Sequence, residues 1–433
     1  MADFDSDTLH ALENRLIDAL ERLDRIDSDE VSDEWVSGFF SDENDRRTEL
    51  DVAEMRTVSR RLLGSNPFAV SAVENRVNFV IGKGHRYRVL AKSPDDDALA
   101  SFAQELIDDF LERNRWHARQ QEIMRRNDRD GESFLRFFTD AKNRLCVRFV
   151  EPEQITRTDS SVNERDAFGI LSDPNDAESV IGYYVENKLV PAASIDHRKQ
   201  NVDSASKRGL PLLWPVRKNL NRAEKLLRNM SVVAEIQSAI ALIRKHANAD
   251  AAAVNRYLRQ QYTPKTVSGE NRQRFAPGTV IDAGSGIDYQ FPIAAVDASR
   301  YINILQAELR AVAARLVMPE FMLTSDASNS NYASTLVAEG PAVRMFERLQ
   351  TEMIRDDLAV MRRVLRNAVT RGLLPNDVSR RVLIGATPPT LAVRDRLSEA
   401  KADEILLKNG VLSRQTMAMR HGLDPNKEVS LEQ

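Results

Sequence analysis

The stretch from Asp297 to Gly372 constrains this chain more than any other. It reads as a helix over 297–317, a polar loop over 318–332, and a helix over 333–372. A helix of about forty residues is roughly 60 Å long at 1.5 Å per residue. Such a helix is hard to wrap inside one globular core. It suits an elongated subunit that stands beside copies of itself. Gly340-Pro341 interrupts the pattern once. Proline cannot donate to the carbonyl four residues back, so a kink is expected at those two positions.

Composition narrows the partners. The 433 residues are 42% hydrophobic and 29% charged, enough for one large core or two to three smaller ones. A net charge of −4 argues against a global basic field that grips nucleic acid. It is compatible with a surface past which DNA slides, because tight phosphate contacts would hinder motion. The single cysteine, Cys146, rules out a disulfide framework or a cysteine zinc site within one chain. The opening MADFDSDTLH is acidic and lacks the apolar segment of a signal peptide. No stretch approaches the ~20 apolar residues that span a bilayer, so no membrane partner is expected and a reducing, aqueous compartment is.

Along the chain, 1–55 reads as an acidic segment carrying an amphipathic helix, with Leu9, Leu12, Leu16, Ala19, Leu23 and Ile26 on one stripe. A helix then runs to about Val80, broken at Asn66-Pro67, where proline suits a first turn. Residues 95–127 read as one helix. Strands follow at 133–139, 145–149 and 180–186, where the apolar period changes to two. A helix over 216–246 carries Arg217, Lys218, Arg222, Lys225 and Arg228 in its first half and almost no charge in its second. Two short strands, 278–282 and 287–291, flank Gly284-Ser285-Gly286. The tail reads as helices over 395–409 and 413–421, each ending at a glycine. The fold class is α+β, predominantly helical.

Catalytic chemistry is not visible. Ile81-Gly82-Lys83-Gly84 lacks phosphate-loop spacing, and Gly284-Ser285-Gly286 lacks that of a nucleophile elbow. The six histidines are scattered, and none has a partner at metal-ligand spacing. The expectation is therefore no enzyme, no metal and no cofactor. The tail helices offer only Arg414 and Arg420 as cations on the second, too few for a DNA-reading helix-turn-helix.

Four motifs point to a family. They are RRLLGSNPFAVSAVENRVNFVIGKGHR (60–86), DRDGESFLRFF (128–138) with the strand ending Val150-Glu151-Pro152, KRGLPLLWPV (207–216), and LVMPEFMLTSDASNSNYAS (316–334). In this order and at these spacings the chain resembles the portal proteins of tailed bacteriophages, of the broad lambda-like and HK97-like group. The resemblance runs from about residue 56 to the end. The first 55 residues carry no part of it and the last 40 only a weak one.

The resemblance implies a dodecameric ring at one capsid vertex, through which a terminase motor pumps double-stranded DNA and from which DNA later leaves. It implies a portal fold: a mixed α/β wing over 56–215, a two-helix stem of 216–246 and 297–317, and a small clip, 247–296. A tunnel loop would span 318–332, a long kinked helix 333–372, and a helical crown 373–433. The loop residues Ser325, Asp326, Ser328, Asn329, Ser330 and Asn331 are small and polar without a cation, which suits weak contacts to a moving duplex. Asn331 or Ser330 would also serve as an N-cap. Lys218, Arg222 and Lys225 are candidates for a channel-facing stem surface. Arg256, Tyr257, Arg259, Tyr262, Arg272 and Arg274 are candidates for partner binding on the clip, arginine and tyrosine being favoured at interface hot spots. Implied partners are the major capsid protein, the terminase large subunit, a head–tail adaptor, and DNA held without sequence preference. The implied location is the virion, after assembly in the host cytoplasm. Two alternatives stand beside this: another head–tail connector or head-morphogenesis protein, and a nucleic-acid-processing enzyme.

Overall fold

Two helices open the described chain, and one asparagine decides where the first stops. Helix α1 spans Glu49–Ser65 and α2 spans Pro67–Val80. The Asn66 carboxamide oxygen accepts from the amides of Phe68 (3.1 Å) and Ala69 (3.2 Å), satisfying two donors that a helix start leaves orphaned. The computed structural model describes residues 49–156, 167–176, 178–245, 279–283, 298–326, 328, 332–391 and 396–420. The acidic helix proposed over residues 7–27 lies outside these.

Strand β1 (Arg86–Ala91) leads to α3 (Asp97–Arg113) and α4 (Trp116–Asp130). One helix was expected here, but Asn114 divides it. Its side chain turns back to donate to the Phe110 carbonyl at 3.0 Å, and Arg115 takes φ 49°. No glycine or proline marks the break. The buried Trp116 ring then lies 5.6 Å from that of Phe110.

Two small antiparallel sheets follow. Strands β2 (Glu132–Thr139), β3 (Leu145–Val150), β4 (Ile170–Ser172), β5 (Val180–Val185), β6 (Lys188–Pro191) and β7 (Ile195–Lys199) are arranged as β3-β2-β7 and β4-β5-β6. Phe134, Val150, Ile155, Ile170, Tyr183, Val185 and Ile195 form a local core that draws on both sheets. This is the mixed α/β block the period change predicted.

Helix α5 (Arg217–Ala239) stops seven residues before the expected end at 246, and β8 (Ile240–Lys245) continues the chain. Strand β8 pairs in parallel with β9 (Thr279–Ala283). The pairing partner is supplied from far along the sequence, and it overrides a local pattern that reads as helix. Helix α6 (Ala298–Arg315) returns alongside α5. Helix α7 (Glu320–Thr324) occupies part of the stretch expected to be loop.

Helix α8 (Tyr332–Thr370) is the long element. It runs through Pro341 as one continuous helix. Proline removes a single donor, and the neighbouring rungs carry the helix past it. What changes at this point is burial. Val337 and Gly340 are exposed, whereas Ala342 and Phe346 are fully buried. The apolar stripe then continues through Leu349, Met353, Val360, Met361, Val364 and Leu365. It packs in one core with Val73 and Val77 of α2 and Ile107 of α3.

Helix α9 (Val378–Arg381) leads to β10 (Val382–Thr387), which pairs antiparallel with β1. Helices α10 (Arg396–Lys408) and α11 (Arg414–Arg420) end the described chain. They match the two tail helices read from the sequence, and Gly410 takes the left-handed conformation (φ 68°) just past α10.

Candidate functional site: the polar loop and its mount

The polar loop begins at a strained residue. Val317 follows α6 at φ 52°, a region costly for a β-branched side chain. Its amide donates to the Ala314 carbonyl and that of Met318 to the Ala313 carbonyl, both at 3.1 Å, which closes the helix end. Pro319 prevents any resumption of α6 and opens α7. Ser325, at φ 59°, ends α7.

Helix α7 is fixed from below. Leu316, Met318 and Leu323 are buried. The Ser71 hydroxyl of α2 donates to the Leu323 carbonyl at 2.8 Å, and the Asn75 amide to the Met322 carbonyl at 2.6 Å. Ser325, Asp326 and Ser328 stand exposed above this base. The Ser328 amide donates to the Asp326 carboxylate at 2.9 Å, and hydrogen bonding from Ser328 holds that carboxyl below its ordinary range. Asn329, Ser330 and Asn331 lie outside the described residues, as does any cap at 331.

Three of the four sequence motifs meet beneath α2. The Glu132 carboxylate, fully buried, accepts from the Arg208 Nε at 2.7 Å, the Gly209 amide at 3.1 Å and the His197 Nε2 at 3.0 Å. Arg56 lies 3.5 Å away. Burial pushes this carboxyl up, but Arg208 and then His197 more than offset it and hold it at about 2. Arg76 donates twice to Asp128, at 2.8 and 3.0 Å, and Arg60 donates to Asp130 at 2.7 Å. Gly131 and Gly209 face each other so closely that a Cβ on Gly209 would overlap the Gly131 carbonyl. The Asp-Gly-Glu and Lys-Arg-Gly motifs thus form one lock, and α2, which carries the loop's mount, is tied into it through Arg76.

A second buried network clamps the long helix. Asp357 of α8 accepts from the Tyr87 hydroxyl (2.6 Å), Gln120 (2.7 Å) and Arg198 (2.9 Å). Phe346 stacks on Phe79 of α2 at 5.0 Å. Nearby, His85 Nε2 donates to the Val80 carbonyl at 2.9 Å, and its Nδ1 has no hydrogen-bond partner among the described residues.

Both buried histidines predict an acid response. Burial holds His85 and His197 below their ordinary value of 6.5, so they fold as neutral rings. Their stabilising contribution is complete above 6.5 and is lost as pH falls below it, because the unfolded chain then binds protons that the folded one resists. Glu132 adds a second step, complete above its ordinary 4.5 and lost as pH falls toward about 2. The urea midpoint is expected to fall as pH drops from about 7.5 to 5, before carboxylates titrate. An unchanged midpoint over that window would contradict the neutral assignment.

The stem candidates divide. Arg222 donates to Glu308 of α6 at 2.7 and 3.0 Å, and Asn219 donates to the same carboxylate at 2.7 Å. The Arg222 charge is therefore matched inside the subunit. It joins α5 and α6, and this weakens its expected role as a free channel cation. Lys218 and Lys225 are exposed, with no acidic partner among the described residues. Asn66, the α2 cap, also donates to the Leu220 carbonyl at 3.1 Å and so fixes α5 to α2. The clip candidates Arg256, Tyr257, Arg259, Tyr262, Arg272 and Arg274 lie outside the described residues. Sequence reading did not single out Glu308, Asn75 or Ser71. Only the i, i+4 spacing of Ser71 and Asn75, on one face of α2, could have pointed to a shared partner.

Comparison with known proteins follows the same line. The family model described as "Phage portal protein, lambda family" matches residues 34–350. The match begins earlier than the residue 56 expected from the motifs, and it stops before 373–433. No curated protein matches the chain. Solved structures that the chain matches include the neck of an empty gene transfer agent particle computed with C6 symmetry. It is 12% identical, with a TM-score of 0.47, over 86% of this chain and 94% of that one. An HK97-family phage portal protein from Corynebacterium diphtheriae is 13% identical, with a TM-score of 0.29, over 63% of this chain and 82% of that one. The family match covers well over half of the sequence and includes all four motifs, and on that ground the chain belongs to the lambda family of phage portal proteins.

Proposed function

We propose that copies of this chain form a closed ring, expected to hold twelve, at the single vertex of a capsid, and that double-stranded DNA enters and leaves through its centre. The observation that carries this reading is the loop. Three exposed polar residues without a cation, Ser325, Asp326 and Ser328, follow a short helix hydrogen-bonded to α2, which Arg76 ties to the buried charge lock. A rigid mount with a weakly interacting tip suits a duplex that must move, whereas arginine contacts to phosphate would hold it.

In this assignment residues 56–215 form the wing, α5 and α6 the stem, and 373–433 the crown. The segment between the stem helices, 247–296, is the pole that meets the terminase large subunit during packaging and the head–tail adaptor afterwards. The wing meets the major capsid protein. The chain is a structural conduit and not an enzyme, and it ends in the virion after assembly in the host cytoplasm. The test is a particle-producing host from which the gene is deleted. Particles are expected to lack nuclease-protected DNA until the chain is supplied in trans. Filled particles formed without it would overturn the proposal.

A further inference from the structure

One face of the β3-β2-β7 sheet is buried at Phe134 and Val150 and exposed at its other end, where it carries a pair of like charges. Arg136 of β2 and Arg148 of β3 lie directly opposite each other and are both exposed. Like charges in that position destabilise a sheet. Arg136 has no ion pair or hydrogen bond among the described residues. Arg148 donates to the Val147 carbonyl at 2.7 Å, and its guanidinium lies 5.6 Å over the Phe138 ring. Phe138 is itself 42% exposed and so offers its ring on the same face. Arg126 covers Phe149 at 4.4 Å. Arg119 stands close enough that, after burial, Arg148 is the main influence pushing its guanidinium down.

These residues border a cavity of about 410 Å³ whose lining includes Arg136, Phe138, Arg148 and Phe149. Gln154 and Glu186 close its other side, and the Glu186 carboxylate is already occupied by Gln154 at 2.9 Å. Two opposed guanidiniums beside the Phe138 ring match a carboxylate attached to an apolar or aromatic neighbour: the forks bind the oxygens and the ring takes the hydrocarbon. The feature is compact. Glu122 and Glu151 both pair with Arg126 at its margin, so a long polyanion such as DNA would meet carboxylates on leaving the pair.

We infer that this face of the sheet is a docking site for an acidic segment of another protein, with Arg136 and Arg148 clamping a carboxylate and Phe138 seating the residue beside it. The partner is a protein segment of alternating carboxylate and apolar character, distinct from the DNA of the proposed channel.

Fluorescence anisotropy on the full-length protein tests this with three labelled probes: a short peptide of alternating Glu and Phe, its Gln-for-Glu counterpart, and a short DNA duplex. The Glu peptide is expected to bind, the Gln peptide at least about tenfold more weakly. R136E and R148E should each weaken the Glu peptide by a similar factor. R136E turns a repulsive pair into an attractive one, so its urea midpoint should equal or exceed that of the parent. R136Q removes the charge without reversing it and separates binding from folding. Three results would overturn the inference. They are Glu-peptide binding that ignores both arginines, a preference for the duplex lost in the same variants, and a change in assembly state in either variant, which would place this face between copies of the chain.

Discussion

Glu132→Ala is expected to cost about 3–5 kcal/mol, because it strips the acceptor from a buried site that holds Arg208 and Arg56. The loss has two parts. The charge-assisted bonds from Arg208, His197 and the Gly209 amide disappear. The buried Arg208 guanidinium is then left without a counter-charge, which is the larger penalty, whereas Arg56 keeps Glu153 at 3.3 Å. Arg208 retains its bonds to the Pro152, Ile155 and Phe168 carbonyls, so its end of the lock does not collapse at once. Replacing the pair together, as Glu132→Leu with Arg208→Met, should recover most of the loss, since matched apolar groups avoid stranded charge. Urea denaturation of the single and double variants checks this. A single-variant loss below about 1 kcal/mol, the range of exposed ion pairs, would show that the lock is not a buried charge site.

Deleting residues 325–330 should separate assembly from function. The exposed residues there bury no core: Leu323 and the α2 bonds to its carbonyl lie before the deletion, and Ala342 lies well after it. Stability is expected to change by no more than about 0.5 kcal/mol, as for other surface changes away from special features. The assembly state of the purified protein should match that of the parent. Packaged DNA should fall to the level of particles lacking the chain, measured as nuclease-protected DNA per particle. Normal DNA content in particles carrying the deletion would remove the loop from the channel. Unfolding of the deletion variant would make the loop structural.

Much of the local architecture was legible because its causes are local. Asn66-Pro67 announces a helix start by cap chemistry, and the structure has it. The apolar stripe from Ala342 to Ala368 announces α8. Two of the misses share one cause, which is that their partners are distant in sequence. Among the described residues strand β10 pairs with β1, nearly three hundred residues earlier, and its Gly385-Ala386 carries little β signal of its own. Strand β8 reads as a continuation of α5 until β9 pairs with it. The Asn114 break depends on one side chain folding back, in a stretch without glycine or proline.

The site shows the same division. The loop's polarity could be read directly from its residues. The Asp-Gly-Glu and Lys-Arg-Gly motifs were visible as marks of a family, but their physical meaning was not. Only the fold reveals that Glu132 and Arg208 meet, and that Gly131 and Gly209 are glycines because their backbones touch. Pro341 lies inside α8, whose later turns are buried in a core.

The central claim is a ring with a hole through it. Negative-stain imaging of the purified full-length protein, paired with mass photometry at micromolar concentration, tests it most directly. The account predicts closed particles with rotational symmetry and a central opening, and a mass many times the 48.9 kDa of one chain. A single species at the mass of one chain, or particles without a central opening, would contradict it.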